Sequence, residues 1–317
     1  MNPELFAADL QQKPAALRGL ADQLSGENPW ANITPANQLV FLGMGSSHYA
    51  NSVAAARLRC AGISAVAELA SSDLLPKVTA GTVVIAVSAS GGSVETLSAL
   101  EHYQGSARTI ALTNTVGSKI TDLTESSVLM QAHDEKGGVA CRSFQHTLAL
   151  LLALQCHLVG GRDVPWLLRA SADATEDLLD RSPQWLANIS ELLLGPQGTH
   201  VVAPARRFSS AQQSALMLRE GPRLAAVACE TGDWSHVDVY LTKSTDYRML
   251  LLTGSAWEPQ LLRWVTERGS TVVAVGQELP AASASLRYRG DENDDVKLLT
   301  ETLVAELVAQ QLWASTT

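Results

Sequence analysis

Short apolar runs alternate along the chain with stretches of helical spacing. Between residues 4 and 25, Leu5, Leu10, Ala15, Leu17, Leu20 and Leu24 recur among polar residues at a helical spacing that Pro14 interrupts, which predicts a leading helix or helix pair. Leu39-Val40-Phe41-Leu42 then reads as a strand, Gly43-Met44-Gly45-Ser46-Ser47 as a loop, and His48 to Cys60 as a helix. The same order recurs with a strand at Thr82 to Val87, the loop Ser88-Ala89-Ser90-Gly91-Gly92-Ser93, a helix from Val94 to Tyr103 and a further strand at Thr109 to Leu112. Strands alternating with helices at this pace predict right-handed crossovers and a parallel sheet covered on both faces. The most apolar stretch, Thr147 to Leu154, falls short of the ~20 residues that span a bilayer and reads as a buried core helix.

The second half repeats the first. His200-Val201-Val202, followed by Pro204 to Ser210 and a helix through Arg219, parallels the stretch from Val40. Met249 to Leu252 with Thr253-Gly254-Ser255-Ala256 parallels Ile85 to Ser90, and Thr271 to Val275 parallels Thr109 to Leu112, all at an offset of roughly 160 residues. The expected fold is α/β, with two tandem doubly wound parallel-sheet domains of flavodoxin-like type. A helical segment at 1–35, a first domain at 36–160, a helical linker at 161–195 and a second domain at 196–317 follow from Gly160-Gly161, Pro165, Pro183 and the two strand series.

Composition narrows the class. With 317 residues, 46% hydrophobic and 17% charged, the chain is too apolar for disorder and long enough for two cores. Its 32 acidic and 23 basic side chains give a net charge of −9, which argues against broad attraction to nucleic acid or an anionic membrane. The cysteines Cys60, Cys141, Cys156 and Cys229 form no C-x-x-C pair, and the acidic N-terminus has no export-signal pattern, so a cytoplasmic protein is expected. His133-Asp134-Glu135 lacks a helical histidine partner, and neither loop has the spacing of a nucleotide motif; no metal or cofactor is expected.

The two serine loops carry the candidate chemistry. Small residues let backbone approach an anion, hydroxyls donate to it, and a helix N-terminus adds positive potential, so phosphate is the natural guest. Serine loops of this kind also serve simply as helix caps.

These residues resemble the SIS (sugar isomerase) domain family, in the double-domain arrangement of the isomerase half of glucosamine-6-phosphate synthase. Gly45-Ser46-Ser47 resembles the family's Cys-Gly-Thr-Ser loop. Ser88-Ala-Ser-Gly-Gly-Ser93-Val-Glu-Thr96 is similar to Ser-Gln-Ser-Gly-Glu-Thr-x-x-Thr, and Gly137-Gly138-Val-Ala-Cys-Arg142-Ser-Phe144 to Gly-Val-Ala-Ser-Thr-Lys-x-Phe. The resemblance implies phosphate binding by Ser47, Ser88, Ser90 and Ser93, with Gly45, Ser46, Gly138 and Arg142 as further substrate contacts. In the second half, Ala215-Leu-Met-Leu-Arg-Glu220 resembles Ala-Leu-Lys-Leu-Lys-Glu, and Glu230-Thr-Gly-Asp-Trp-Ser-His236 resembles a Gly-Glu-x-Lys-His-Gly segment. It implies a Glu220 that moves a proton between C1 and C2 and a His236 that opens the sugar ring in the partner's site of a homodimer with shared active sites. Taken without the resemblance, Glu220 reads as a surface charge at a helix end and His236 as a loop histidine.

Departures from the family narrow the expected reaction. The chain has no counterpart of the synthase's N-terminal glutaminase cysteine, its last lysine is Lys297, and Met217 and Ala89 replace a lysine and a glutamine. The expected activity is processing of a sugar 6-phosphate: aldose–ketose isomerisation, amino-sugar-phosphate deamination or fructosamine-phosphate deglycation. The alternative is a sugar-phosphate sensor without turnover.

Overall fold

The structure, a computed structural model, describes residues 1–34 and 37–315; the expected boundary at 35/36 and the last two residues of the tail lie outside the described residues. The chain forms two compact units. One is built from 16–134 and 142–168, the other from 1–15, 135–141 and 169–317. The division is therefore interleaved rather than contiguous, with the N-terminal helix and the 135–141 loop grouped with the later half of the chain.

In the unit of residues 16–134 and 142–168, five strands form one sheet: β1 (Gln38–Gly43), β2 (Ala65–Leu69), β3 (Thr82–Val87), β4 (Arg108–Thr113) and β5 (Ser126–Leu129). All pair in parallel, in the order β2-β1-β3-β4-β5. β3, Thr-Val-Val-Ile-Ala-Val, is buried at every position, as a central strand covered on both faces must be. One core layer joins Val40, Leu42, Val84, Ala86 and Ala111 to Leu100, Tyr103 and Ile120. The predicted core helix runs from Arg142 to Val159, with every residue from Arg142 to Gln155 buried. The Nδ1 of its buried His146 bonds the Met130 carbonyl at 2.8 Å.

The other unit contains β6 (Thr199–Ala203), β7 (Ala226–Glu230), β8 (Arg248–Leu252), β9 (Thr271–Val275) and β10 (Ala284–Leu286). They are parallel in the order β10-β9-β8-β6-β7. Read from β7, this is the topology of the first sheet, and the repeat expected from the sequence is a repeat of topology. The stretch expected as a linker forms the helices Val164–Asp180 and Ser182–Leu193, and from Arg169 on it belongs to this unit. Among the described residues no helix is long and apolar enough to cross a membrane.

The expected helix pair is present. Pro3–Gln11 is capped by Asn2, whose side chain accepts from the Leu5 amide at 2.9 Å, and Lys13–Gly26 follows. Pro14 sits in the first turn of the second helix, where a missing amide proton costs nothing, so it starts a helix instead of breaking one. Lys13 and Glu306 form a fully buried ion pair at 2.5 Å. Removing one partner of a buried pair strands the other charge and costs about 3–5 kcal/mol, whereas replacing both with apolar groups is close to neutral. Lys13→Met is expected to lower unfolding stability by about that amount in chemical denaturation, with Glu306→Leu in the same chain restoring most of it. A loss below about 1 kcal/mol for the single variant would show that the pair is dispensable.

Candidate functional site

In a parallel sheet every strand delivers its C-terminal end, and the start of the next helix, to one edge. Where the strand order reverses, the crossovers leave toward opposite faces and a crevice opens. In the first sheet the reversal falls between β1 and β3, and the loops that follow these two strands are the two serine loops. Helix Gly45–Cys60 begins at the first loop and helix Val94–Tyr103 at the second, so two helix N-termini meet at adjacent strand ends about 4.8 Å apart.

Local packing explains the loop shapes. Gly43 ends β1 where a side chain would meet Asn51 Nδ2 and Ser47 Cβ, both at 2.9 Å, and Gly91 adopts φ +63° with Ser118 Oγ only 2.0 Å from where a Cβ would stand. Gly45, at φ +48°, opens its helix. The hydroxyls of Ser46, Ser47 and Ser88 take no hydrogen-bond partner among the described residues, although Ser88 is buried and Ser46 and Ser47 are half-buried. Ser90 is exposed, its Oγ accepting from the Gly92 amide at 3.3 Å. Ser93 is engaged as an N-cap: its Oγ accepts from the Thr96 amide and hydroxyl and donates to exposed Glu95. The Glu95 carboxyl is held below its ordinary pKa by its own amide and by Ser93.

Arg142 is wholly buried. Its guanidinium donates to the carbonyls of Ala132 at 2.9 Å and Asp134 at 2.5 Å, so it shapes the chain that follows β5. A cavity of about 390 Å³ in this unit is lined by Trp30, Arg108, Ser126 and Leu150. Arg108 and Ser126 start β4 and β5, so it lies at the edge opposite the serine loops.

Glu220, Gly138 and His236 belong to the other unit. Glu220 is the last residue of helix Phe208–Glu220, half-buried; burial raises its carboxyl pKa above the ordinary 4.5, and neighbouring Arg219 offsets part of this. His236 is exposed and follows the short 3-10 turn Asp233–Ser235, its amide donating to the Asp233 carbonyl at 2.8 Å. Gly138, at φ +77°, is exposed, and a Cβ there would stand 3.5 Å from Met1. Met217 is packed in the core, its sulfur 3.7 Å from Gln213 Nε2. Among the described residues, no three His, Cys, Asp or Glu side chains are grouped as a metal site requires.

Residues 32–155 match the SIS domain family. They form a SIS domain. A glutamine–fructose-6-phosphate aminotransferase of Aeropyrum pernix is 26% identical over 258 residues, covering 76% of this chain and 42% of that protein. The chain spans about half, or less, of the length of the curated relatives it matches. Among solved structures, the C-terminal domain of glucosamine-fructose-6-phosphate aminotransferase from Francisella tularensis superposes with a TM-score of 0.84 at 16% identity, over 98% of this chain and 95% of that one. Glucosamine-6-phosphate deaminase from Thermotoga maritima superposes with 0.75 at 17%, over 98% and 95%. Both sheets of the chain therefore have the SIS-like fold.

The second sheet treats the same edge differently, which sequence reasoning missed. After β8, the amides of Gly254 and Ser255 are already accepted by the buried Glu258 carboxylate, at 2.8 Å from Ser255. After β6, at the positions that Ser46 and Ser47 hold after β1, stand Arg206 and Arg207. Buried Arg207 bonds Glu301 at 3.0 Å, Asp294 and the Thr253 carbonyl, and Arg206 pairs with Asp294 at 2.6 Å. The arginine pair was legible in the roughly 160-residue repeat, had the two halves been compared position by position. This edge already pairs its own carboxylates with arginines; at the edge of the SIS domain Glu95 faces Ser93, and Glu68, at the end of β2, acts on His48.

Ser90→Asp places a negative charge in the open loop at a solvent-exposed position and should leave the fold intact while abolishing binding of sugar 6-phosphates in calorimetric titration. Unchanged affinity would remove the loop from the site.

Proposed function

We propose that the chain processes a sugar 6-phosphate, with Ser47, Ser88, Ser90 and Ser93 holding the phosphate. The observation that carries this reading is the open edge of the SIS domain, where idle hydroxyls and two helix N-termini converge. Gly45 and Ser46 complete the first loop. Gly138 stays assigned to substrate by resemblance, and Arg142 acts through the carbonyls it holds. The reaction is of the amino-sugar type, deamination of an amino-sugar phosphate or deglycation of a fructosamine phosphate, or an aldose–ketose isomerisation. The names of the matched aminotransferase and deaminase support a phosphorylated sugar or amino sugar as the substrate class.

In this mechanism Glu220 takes a proton from one of two adjacent carbons and returns it to the other through an enediol-type intermediate. A partly desolvated carboxylate suits this work, because its raised pKa brings it closer to the operating pH and makes it a stronger base. His236, contributed by the second subunit of a homodimer, opens the ring, where imidazole can give and take a proton near neutrality. Ring opening precedes proton transfer, so the two residues govern separate steps.

A second reading, a sugar-phosphate binder without turnover, draws on one observation: in the segment that resembles Ala-Leu-Lys-Leu-Lys-Glu, buried Met217 stands in place of the first lysine and supplies no charge. A panel of phosphosugars scored for ammonia release, amine release and ketose formation separates the readings. With the active substrate, Glu220→Gln is expected to lower turnover by at least ~100-fold while sparing affinity, and to stop exchange of substrate C1 or C2 hydrogen with deuterated water. A base must be ionised to act, so activity should fall as pH drops, with a midpoint above the ordinary carboxyl value of 4.5. Near-normal turnover by Glu220→Gln would contradict the assignment.

A further inference from the structure

His236 sits on an irregular segment. Between β7 and β8 the chain makes two 3-10 turns, Asp233–Ser235 and Asp238–Lys243, and turns of this kind have weak internal hydrogen bonding. Its outward side chains His236, Val237, Tyr240 and Leu241 are exposed, Tyr240 at 63%. Whatever fixes His236 must act from the inner side.

That side carries a buried polar chain. Asp238 Oδ2 accepts from His200 Nδ1 at 3.0 Å and from the Tyr247 hydroxyl at 3.2 Å, and the same hydroxyl accepts the Trp234 indole N–H at 2.8 Å. A carboxylate oxygen only accepts, so His200 carries its proton on Nδ1. The His200 and Tyr247 rings stack at 4.1 Å. Burial first, and the Asp238 charge after it, push the Tyr247 phenol far above its ordinary pKa, so it remains an O–H donor. His200 lies on β6 and Tyr247 immediately precedes β8, so the chain ties the segment to the rigid sheet. Arg268 adds bonds to the Val239 carbonyl at 2.6 Å and the Thr242 hydroxyl at 2.7 Å. Trp234 and Asp238 stand two residues before and two residues after His236, and one hydroxyl joins them.

We propose that the Tyr247 hydroxyl is a positioning group for His236, clamping the segment on both sides of the imidazole through Trp234 and Asp238. The inference rests on the reading of His236 as the ring-opening residue. A network that served only to stabilise the core would affect folding and every kinetic step alike. A clamp acts through His236 alone.

Tyr247→Phe tests this, because it keeps the ring and its stacking on His200 and removes only the shared hydroxyl. In the full-length protein with glucosamine 6-phosphate, the variant should lose about tenfold in kcat with KM within about twofold, and should cause no further loss in a His236→Ala background. Equal losses in both backgrounds would overturn the clamp. A His236→Ala variant that keeps full kcat would instead overturn the reading of His236. Amide hydrogen exchange gives an answer without turnover: Tyr247→Phe should speed exchange across 233–243 about tenfold and leave β6 and β8 unchanged, and unchanged exchange in the segment would refute the clamp.

Discussion

The backbone amides at the start of a helix have no carbonyl within the helix to bond, and in a parallel sheet all of them arrive at the same edge. The rest of the molecule depends on how that requirement is met. At the reversal between β1 and β3 the demand is doubled, since two helices begin side by side, and the chain supplies serine and glycine rather than a full set of internal acceptors. Ser93 caps its own helix and Ser90 meets one amide, while Ser46, Ser47 and Ser88 keep hydroxyls to spare. Such an edge suits an anion.

The second sheet shows the other solution to the same problem. Its fold repeats the first in strand order, yet Glu258 supplies the acceptor for the loop after β8, and Arg206 and Arg207 pair with Asp294 and Glu301 after β6. An edge filled by its own carboxylates has no electrostatic reason to recruit a phosphate. What this unit offers is a half-buried carboxylate at a helix end and an imidazole on a short irregular segment, each with a different environment. Duplication followed by divergence of the edges would account for one half with free serine hydroxyls at its edge and one half that holds Glu220 and His236.

The sequence revealed the parts of this arrangement that periodicity and turn chemistry encode. β1, β3 and β4, their counterparts in the second half, both serine loops and the core helix were readable because apolar runs end in Gly and Ser before helical spacing resumes. β2 and β5 escaped notice: Ala65–Leu69 is only partly buried and includes Glu68, and Ser126–Leu129 is a short edge strand with polar residues. Pro14 was legible as a break but not as a helix start, since the two depend on its place in a turn. The interleaving of the units could not be read, because it rests on contacts such as Lys13 with Glu306 and Asp9 with the Gly137 amide between residues far apart in sequence. The same is true of Arg142, whose burial against backbone carbonyls is a property of the fold.

The central claim is that one edge of the chain is open to a phosphate and its repeat is closed. Site-resolved amide NMR during titration with glucosamine 6-phosphate tests it most directly. Saturable shifts at Ser46, Ser47 and Ser88 to Val94, with Gly254 and Ser255 unmoved, are the predicted result. Shifts at Gly254 and Ser255 with the serine loops silent would contradict it.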